Sequence, residues 1–228
     1  MSTLLLRFAA PLQSWGSDSK FEVRRTELFP TKSGIVGFIA SALGRSRDDD
    51  LEDLRKLSVG IRVDNPGTVI RDFHTARARE DKPPYISTRY YLSDAVFLVG
   101  IESEDKEMLQ TIANAIQHPV YPLFLGRRSC PPTLPIVLGI HDDGLKPSLE
   151  NQPCLSASRS KMYSNRDSRI IMDAPSPLFG TAIRDNPISF SKRNRQFGVR
   201  FIEEIPFTFE NESNTPLEHD AFGAVEEN

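Results

Sequence analysis

Residues 29–44 (FPTKSGIVGFIASALG) constrain the fold more than any other stretch, because they predict a helix with almost no polar side. Pro30 and the hydroxyl groups of Thr31 and Ser33 are typical of a helix start, and Gly44 is typical of the position just past a helix end. Apolar residues fill most of the positions between them: Ile35, Val36, Phe38, Ile39, Ala40, Ala42 and Leu43. Such a helix has to pack against a large apolar partner.

The start of this helix is also a candidate anion site. Lys32 and Ser33 lie in the first turn, where free backbone N–H groups and the helix dipole favour a negative charge such as a phosphate. Gly34 and Gly37 each cost about 1 kcal/mol of helix stability relative to alanine, which indicates close approach of a backbone or a ligand. The alternative is an ordinary capped core helix with a solvated lysine, and these residues alone do not decide between the two.

Length and composition limit the class of protein. A chain of 228 residues with 39% hydrophobic residues can bury a substantial core. The sequence has no apolar run long enough to span a bilayer and no signal-peptide pattern, so we expect a cytoplasmic protein without a membrane contact. Cys130 and Cys154 have no metal-ligand spacing around them, and we expect neither a disulfide nor a metal site.

Charge is distributed unevenly along the chain. The formal net charge is −3, but residues 203–228 contain eight acidic residues and no lysine or arginine, which leaves residues 1–202 with a net charge of +5. The negative total argues weakly against a nucleic-acid partner, yet the body is basic and the tail is acidic. We expect residues 210–228 to be a disordered acidic tail.

The spacing of apolar residues predicts an α+β fold. Residues 3–8, 59–63 and 95–101 are typical of buried or half-buried strands, and residues 105–117 are typical of an amphipathic helix. A further strand is predicted at residues 134–140. Together with the first helix, the chain runs strand, helix, strand, hairpin, strand, helix, which approximates a ferredoxin-like fold with an inserted hairpin.

The inserted hairpin is predicted from a basic segment that interrupts this pattern. Residues 74–89 (HTARAREDKPPYISTR) lie between two strand-like segments and contain almost no aliphatic side chains. We interpret them as the tip of a long hairpin that projects from the core, and such projections usually contact a partner.

Two short loops contain further candidate binding residues. Gly126-Arg127-Arg128-Ser129 is a candidate phosphate clamp, since guanidinium groups match phosphate oxygens and glycine permits close approach. Residues 11–16 (PLQSWG) contain the only tryptophan, which serves either as a core plug or as a stacking platform. Beyond residue 144 the chain is loosely basic, with strands predicted only at 169–172 and 198–209.

The sequence offers little catalytic chemistry. The four histidines have no metal-ligand spacing, and there is no Walker-type loop, nucleophile elbow or dinucleotide fingerprint. His74, with Tyr85 or Tyr90 near it in sequence, is a weak candidate for metal-free RNA cleavage, in which an imidazole takes the proton of a 2′-hydroxyl. A lone histidine in a basic loop is weak evidence for an enzyme.

Four blocks of the sequence together resemble the CasD family, the subunit of type I-E Cascade in CRISPR immunity. These blocks are LLLRFAAPLQSWG, FPTKSGIVGFIASALG, RDFHTARA and YPLFLGRRSCPP, in the family's order and within roughly the first 140 residues. The resemblance implies a ferredoxin-like (RAMP/RRM-like) domain at residues 1–144 with a thumb hairpin at about 68–94. It also implies a smaller, variable C-terminal region, which we expect to be β-rich and to span residues 145–209. The blocks that carry the resemblance do not extend into this region or into the acidic tail.

The resemblance implies a non-catalytic RNA-binding subunit without a cofactor. Such a subunit caps the 5′ handle of the CRISPR RNA, contacts the backbone subunit and the large subunit of Cascade, and meets target DNA only through the complex. The implied RNA-binding residues are Gln13, Ser14, Trp15, Lys32, Ser33, Arg71, His74, Arg77, Arg79, Arg127 and Arg128.

Two alternatives to the cap remain open from the sequence. The related type I-C subunit cleaves precursor CRISPR RNA, so a metal-independent endoribonuclease that uses His74 is the first alternative. The second is a structural scaffold whose basic body meets an acidic protein rather than RNA.

Overall fold

The computed structural model describes residues 1–16, 22–77, 84–156 and 168–209, and the tail predicted at 210–228 lies outside these ranges. The helices of the described ranges are α1 (Lys32–Ala42), α2 (Glu52–Arg55), α3 (Lys106–Gln117) and α4 (Leu145–Asn151). The strands are β1 (Ser2–Ala9), β2 (Leu12–Gln13), β3 (Val23–Arg24), β4 (Ser58–Asn65), β5 (Thr68–Ala76), β6 (Tyr85–Ser93), β7 (Val96–Ser103), β8 (Val137–His141), β9 (Arg169–Asp173), β10 (Thr181–Ser189) and β11 (Gln196–Pro206).

Seven strands form one antiparallel sheet in the order β10-β11-β9-β4-β7-β1-β8. β1 and β7 pair over their whole length, from Ser2 opposite Ser103 to Ala9 opposite Val96. Every residue of β1 except Arg7 is buried, because both faces of the sheet are covered at this point. The prediction of a buried strand at residues 3–8 is confirmed.

Helices cover both faces of the sheet. Leu4, Leu6 and Phe8 of β1 belong to the larger core, together with the apolar residues of α1 and α3. Leu5 points to the opposite face and packs in a second core with Leu149 of α4. The alternation along β1 therefore divides the interior into two cores, one on each side of the sheet.

The predicted apolar helix is α1. The Thr31 side chain caps it by accepting a hydrogen bond from the backbone N–H of Gly34, at 3.2 Å. Gly44 follows the helix with φ +76°, a backbone conformation that favours glycine. Both ends of the helix are therefore as the sequence predicted.

α4 was not predicted, and its position depends on two glycines in the central strands. A Cβ atom added to Gly60 of β4 would lie 2.7 Å from Leu149, and one added to Gly100 of β7 would lie 2.6 Å from Leu145. The missing side chains let α4 approach the sheet closely. Because α4 is short and includes Pro147, its sequence has no strong helical pattern.

The elements β1, α1, β4, β7, α3 and β8 follow one another along the chain, and their strands lie in the order β8-β1-β7-β4. The prediction of a mixed helix-and-strand fold is confirmed, with an antiparallel sheet. β9 and β11 match the strands predicted at 169–172 and 198–209, whereas β10 was not predicted. These three strands extend the same sheet beyond β4.

A smaller sheet is built on the β5–β6 hairpin. The two strands pair continuously from Thr68 opposite Ser93 to Ala76 opposite Tyr85. The pairing includes much of the stretch interpreted as a tip, and residues 78–83 lie outside the described ranges. β2 pairs antiparallel with β6, and β3 pairs parallel with it. The hairpin is thereby joined to the first loop of the chain.

A fully buried arginine joins the C-terminal part of the chain to the sheet. Arg62 of β4 forms a two-bond ion pair with Asp64, with distances of 2.7 and 2.9 Å. It also donates to the carbonyl oxygens of Leu149, Gln152 and Pro153. The rings of Phe207 and Phe209 lie 5.4 and 4.7 Å from its guanidinium carbon. One side chain thus connects β4, the end of α4 and the segment after β11.

We predict that Arg62→Ala destabilises the protein by about 3–5 kcal/mol, because it leaves Asp64 buried without its counter-charge. Urea denaturation followed by circular dichroism measures the change. The matched control is Arg7→Ala, since Arg7 of β1 is only half-buried and makes two long hydrogen bonds of 3.4 Å. Equal unfolding midpoints for the two variants would contradict the assigned role of Arg62.

Candidate nucleic-acid interface

A cavity of about 730 Å³ opens beside α1. Its walls come from the first loop, the α1–α2 loop, the loop around Gly126 and the β10–β11 hairpin. The basic residues that line it are Arg24, Arg45, Arg47, Arg127, Arg184 and Arg195. Its aromatic lining residues are Trp15, Phe38, Phe124, Phe190 and Phe197. We call this cavity the arginine cleft.

The arginine cleft is strongly positive. Among the described residues that line it, none is an aspartate or a glutamate. Arg45 is partly neutralised from outside the cleft by Asp53, whose hydrogen bonds raise the pKa of Arg45. Guanidinium groups and aromatic rings without carboxylates are the combination that binds phosphates and bases of single-stranded nucleic acid.

The first loop contributes structure more than free side chains. Trp15 is 1% exposed, and its ring stacks on Phe8 with centroids 5.7 Å apart. Its indole N–H donates to Gln13, and the Gln13 amide donates to the carbonyl oxygen of Ala95 at 2.7 Å. Of the two interpretations of Trp15, the structure supports the core plug, because the indole ring is buried. Trp15 also lines the cleft.

Ser14 and Gly126 join two walls of the cleft. The backbone N–H of Ser14 donates to the carbonyl oxygen of Leu125 at 3.2 Å. Gly126 has φ +86°, and a Cβ atom there would lie 1.7 Å from the carbonyl oxygen of Ser14. Only glycine fits this position without moving one of the two loops.

Arg127 links the same loop to the smaller sheet. Its guanidinium donates to the carbonyl oxygens of Tyr90 at 3.1 Å and Arg24 at 3.0 Å, and it lies 4.7 Å from the ring centre of Tyr91. Much of its donor capacity is therefore used within the chain. Arg128 is exposed and does not line the cleft.

A carboxylate of the chain itself, that of Asp185, contacts the start of α1. The backbone N–H of Lys32 donates to a carboxylate oxygen of Asp185 at 2.7 Å, and its amine lies 3.9 Å from Asp173. Burial is the main cause that lowers the pKa of the Lys32 amine. Lys32 is 6% exposed and does not line the cleft, whereas Ser33 does.

The predicted hairpin residues lie apart from the cleft. Arg71 is exposed on β5, 4.9 Å from the ring centre of Phe73. His74 is exposed with its Nδ1 atom 3.9 Å from Asp72, and Arg77 is exposed just after β5. Arg79 lies outside the described residues. The structure thus divides the predicted residues into a cleft group, a buried group and a hairpin group.

Sequence reasoning missed most of the cleft arginines. Arg24, Arg45, Arg47, Arg184 and Arg195 line the cleft, and none was a candidate site residue. Arg184 and Arg195 belong to the loosely basic stretch beyond residue 144, where no pattern singled them out. They meet the α1–α2 loop only because β10 and β11 fold back beside α1.

Two structural findings bear on other classes of site. Within the described ranges, no group of three or more histidine, cysteine or acidic side chains is arranged to hold a metal ion. No helix of those ranges is both long enough and apolar enough to cross a membrane.

Comparison with known proteins gives consistent matches. The model of the family described as CRISPR-associated protein (Cas_Cas5) matches residues 3–203. The chain is 37% identical over 159 residues to the CRISPR system Cascade subunit CasD of Escherichia coli (strain K12), covering 60% of this chain and 70% of that protein.

Two solved structures are also similar over most of the chain. One, described as a crystal structure of Cas protein, gives a TM-score of 0.73 at 37% identity and covers 91% of this chain and 95% of its own. The other belongs to a CRISPR RNA-guided surveillance complex and gives a TM-score of 0.76 at 30% identity, with 90% coverage of both chains.

We predict that Gly126→Ala destabilises the protein by about 1–3 kcal/mol from backbone strain, with a further cost from the overlap with Ser14. Gly37→Ala of α1 is the matched control, because its added Cβ would lie 3.7 Å from Phe190, an ordinary contact. We expect that control to be neutral or to stabilise the protein by up to about 1 kcal/mol. Thermal unfolding of both variants tests the prediction, and a stable Gly126→Ala protein would refute it.

Proposed function

The chain belongs to the Cas5 family of CRISPR-associated proteins, and from this premise we propose that it is a CRISPR RNA-binding subunit of a Cascade surveillance complex. The resemblance to the CasD family drawn from four sequence blocks is confirmed by the family match and by the CasD relative. More specifically, we propose that the protein acts in antiviral defence by capping the 5′ handle of the CRISPR RNA. The cytoplasmic location expected from the sequence stays a prediction.

We assign the parts of the fold accordingly. The β8-β1-β7-β4 order with α1 and α3 supports a ferredoxin-like RAMP domain over residues 1–144. The β5–β6 hairpin is the thumb of this domain. Residues 145–209 are a smaller region that adds α4, β9, β10 and β11 to it.

The arginine cleft is the observation that carries the proposal. RNA ends are recognised through phosphates, which guanidinium groups bind, and through bases, which stack on aromatic rings. The cleft combines six arginines with five aromatic residues, and no acidic residue of the described chain lines it. It has the charge of an RNA-binding surface, and none of its described lining residues is a carboxylate or a histidine that could act as a general base.

The thumb supports the proposed contacts with other subunits. Its exposed apolar side chains are Val69, Ile70, Phe73, Tyr85 and Ile86, with exposures between 38% and 61%. A hairpin with this many exposed apolar groups is typical of a surface that is covered in a complex. We propose that it contacts RNA together with the neighbouring backbone subunit or the large subunit.

The proposal is tested by purifying the tagged chain from a native host and sequencing the 5′ ends of the RNA that accompanies it. We expect one repeat-derived 5′ end. The absence of any specific RNA would overturn the proposal and would favour a scaffold that binds an acidic protein.

The same preparation separates a cap from a nuclease. We expect His74→Ala to leave the 5′ end and the amount of mature RNA unchanged, because His74 is exposed on the thumb and does not line the cleft. Accumulation of uncut precursor RNA in this variant would instead establish the endoribonuclease.

A paired substitution in β3 and the residue after it tests the cleft. Arg24 lines the cleft and Arg25 does not, although both are exposed. We expect Arg24→Ala to weaken binding of handle RNA by about three- to tenfold, and Arg25→Ala to leave it unchanged. Both carbonyl oxygens still accept from Arg127 in either variant, so the loops remain joined. Equal affinities, measured by fluorescence anisotropy, would place the RNA elsewhere.

A further inference from the structure

Arg47 and Arg195 bring two like charges together at the arginine cleft. Arg47 lies in the α1–α2 loop and Arg195 just before β11, and both line the cleft. Partial burial and then the positive charge of Arg47 lower the pKa of Arg195. Within the described residues, neither forms an ion pair with a carboxylate.

This lack of counter-charge contrasts with other arginines of the chain. Arg62 pairs with Asp64 at 2.7 Å, and Arg200 pairs with Asp185 at 2.6 Å and Asp173 at 2.8 Å. These two buried arginines are therefore neutralised by carboxylates of the chain, whereas Arg47 and Arg195 are not. An anion in the cleft would meet two positive charges that no carboxylate of the described residues neutralises.

Aromatic rings stand beside these charges. Arg195 lies 5.0 Å from the ring centre of Phe197, and Phe197 lies 6.3 Å from Phe190 in a tilted arrangement. Arg184 donates to the carbonyl oxygen of Phe197 at 3.2 Å, which fixes the end of the hairpin. Arg195 is thus carried on a packed hairpin, next to aromatic rings on which bases can stack, and Arg47 lines the same cleft from the α1–α2 loop.

We propose that Arg47 and Arg195 form a phosphate-binding subsite for the backbone of single-stranded RNA, supplied jointly by the α1–α2 loop and the C-terminal hairpin. This inference rests on the proposed function and adds to it a role for residues 181–206. The subsite recognises the phosphodiester charge and is independent of base sequence, because a guanidinium group matches phosphate oxygens in any sequence context.

The test uses the full chain and two 3′-labelled single-stranded RNAs of equal length, one with the repeat-derived handle and one unrelated. Binding is measured over a series of salt concentrations. For Arg47→Ala/Arg195→Ala we expect about tenfold weaker binding of both RNAs. We also expect the slope of log affinity against log salt to fall by about 1.4, from two lost phosphate contacts at about 0.7 each.

Arg193→Ala is the matched control. Arg193 lies in the same turn, two residues from Arg195, and is exposed without lining the cleft. We expect its affinity and salt slope to equal those of the wild type. The side chains of Arg47, Arg193 and Arg195 are all exposed, so we expect their replacement to leave the fold unchanged. Equal melting temperatures of the wild type and the variants check this.

The outcomes separate the two proposals. If the wild type binds handle RNA and the double variant matches it in affinity and salt slope, the subsite is overturned and the cap function stands. A loss confined to one of the two RNAs overturns the assignment to the RNA backbone. If the wild type binds neither RNA, both proposals are overturned.

Discussion

The ion-pair network around Asp185 connects the C-terminal strands to the start of α1, and the arginine cleft depends on it. Asp185 of β10 accepts from the backbone N–H of Lys32 at 2.7 Å and from Arg200 of β11 at 2.6 and 2.9 Å. Arg200 also reaches Asp173 of β9, so three strands are joined to one helix end. Asp185 and Arg200 can be buried because each compensates the charge of the other, whereas Asp173 is exposed. It places the β10–β11 hairpin beside α1, where it forms a wall of the cleft.

The arginine of this network is paired with carboxylates, and it is separate from the arginines that line the cleft. The helix start attracts an anion, and the chain supplies its own carboxylate there, so the positive end of α1 is neutralised within the fold. The arginines that line the cleft lie beyond this compensated region, and Arg47 and Arg195 meet no carboxylate of the described chain. Six arginines therefore line one opening, outside the ion-pair network around Asp185. Under the proposed function, RNA bound in the cleft would supply a negative charge there without competing with the ion pairs around Asp185 that stabilise the fold.

The sequence predicted those helices and strands whose pattern of apolar and capping residues lies within the element itself. The apolar run of α1 and its Thr31 cap required nothing from elsewhere in the chain. The alternation in β4 predicted a strand with one face buried, but β4 is buried on both faces, because Arg62 pairs with Asp64 and with the distant end of α4. The partner of Lys32 could not be found in this way, since Asp185 lies 153 residues away and β10 has no strong strand pattern. Arg195 was missed as a cleft residue for the same reason. Its position at the cleft follows from contacts between segments that are distant in sequence. α4 was missed since its packing is permitted by glycines of two distant strands, not by its own sequence.

Some of the RNA-binding residues implied by the resemblance make contacts within the protein that hold the cleft together. Arg127 uses its guanidinium to join β3 and β6 across their carbonyl oxygens, and Gln13 fixes the indole of Trp15. Such residues position the cleft, and we infer that RNA contacts fall mainly on arginines whose donors are less committed, such as Arg24, Arg47 and Arg195. Arg127 contacts Tyr90 of β6 and Arg24 of β3, so one side chain links the β5–β6 hairpin to the wall of the cleft. Under the proposed function, the RNA-binding cleft and the hairpin proposed to contact neighbouring subunits therefore share one structural contact, made by Arg127.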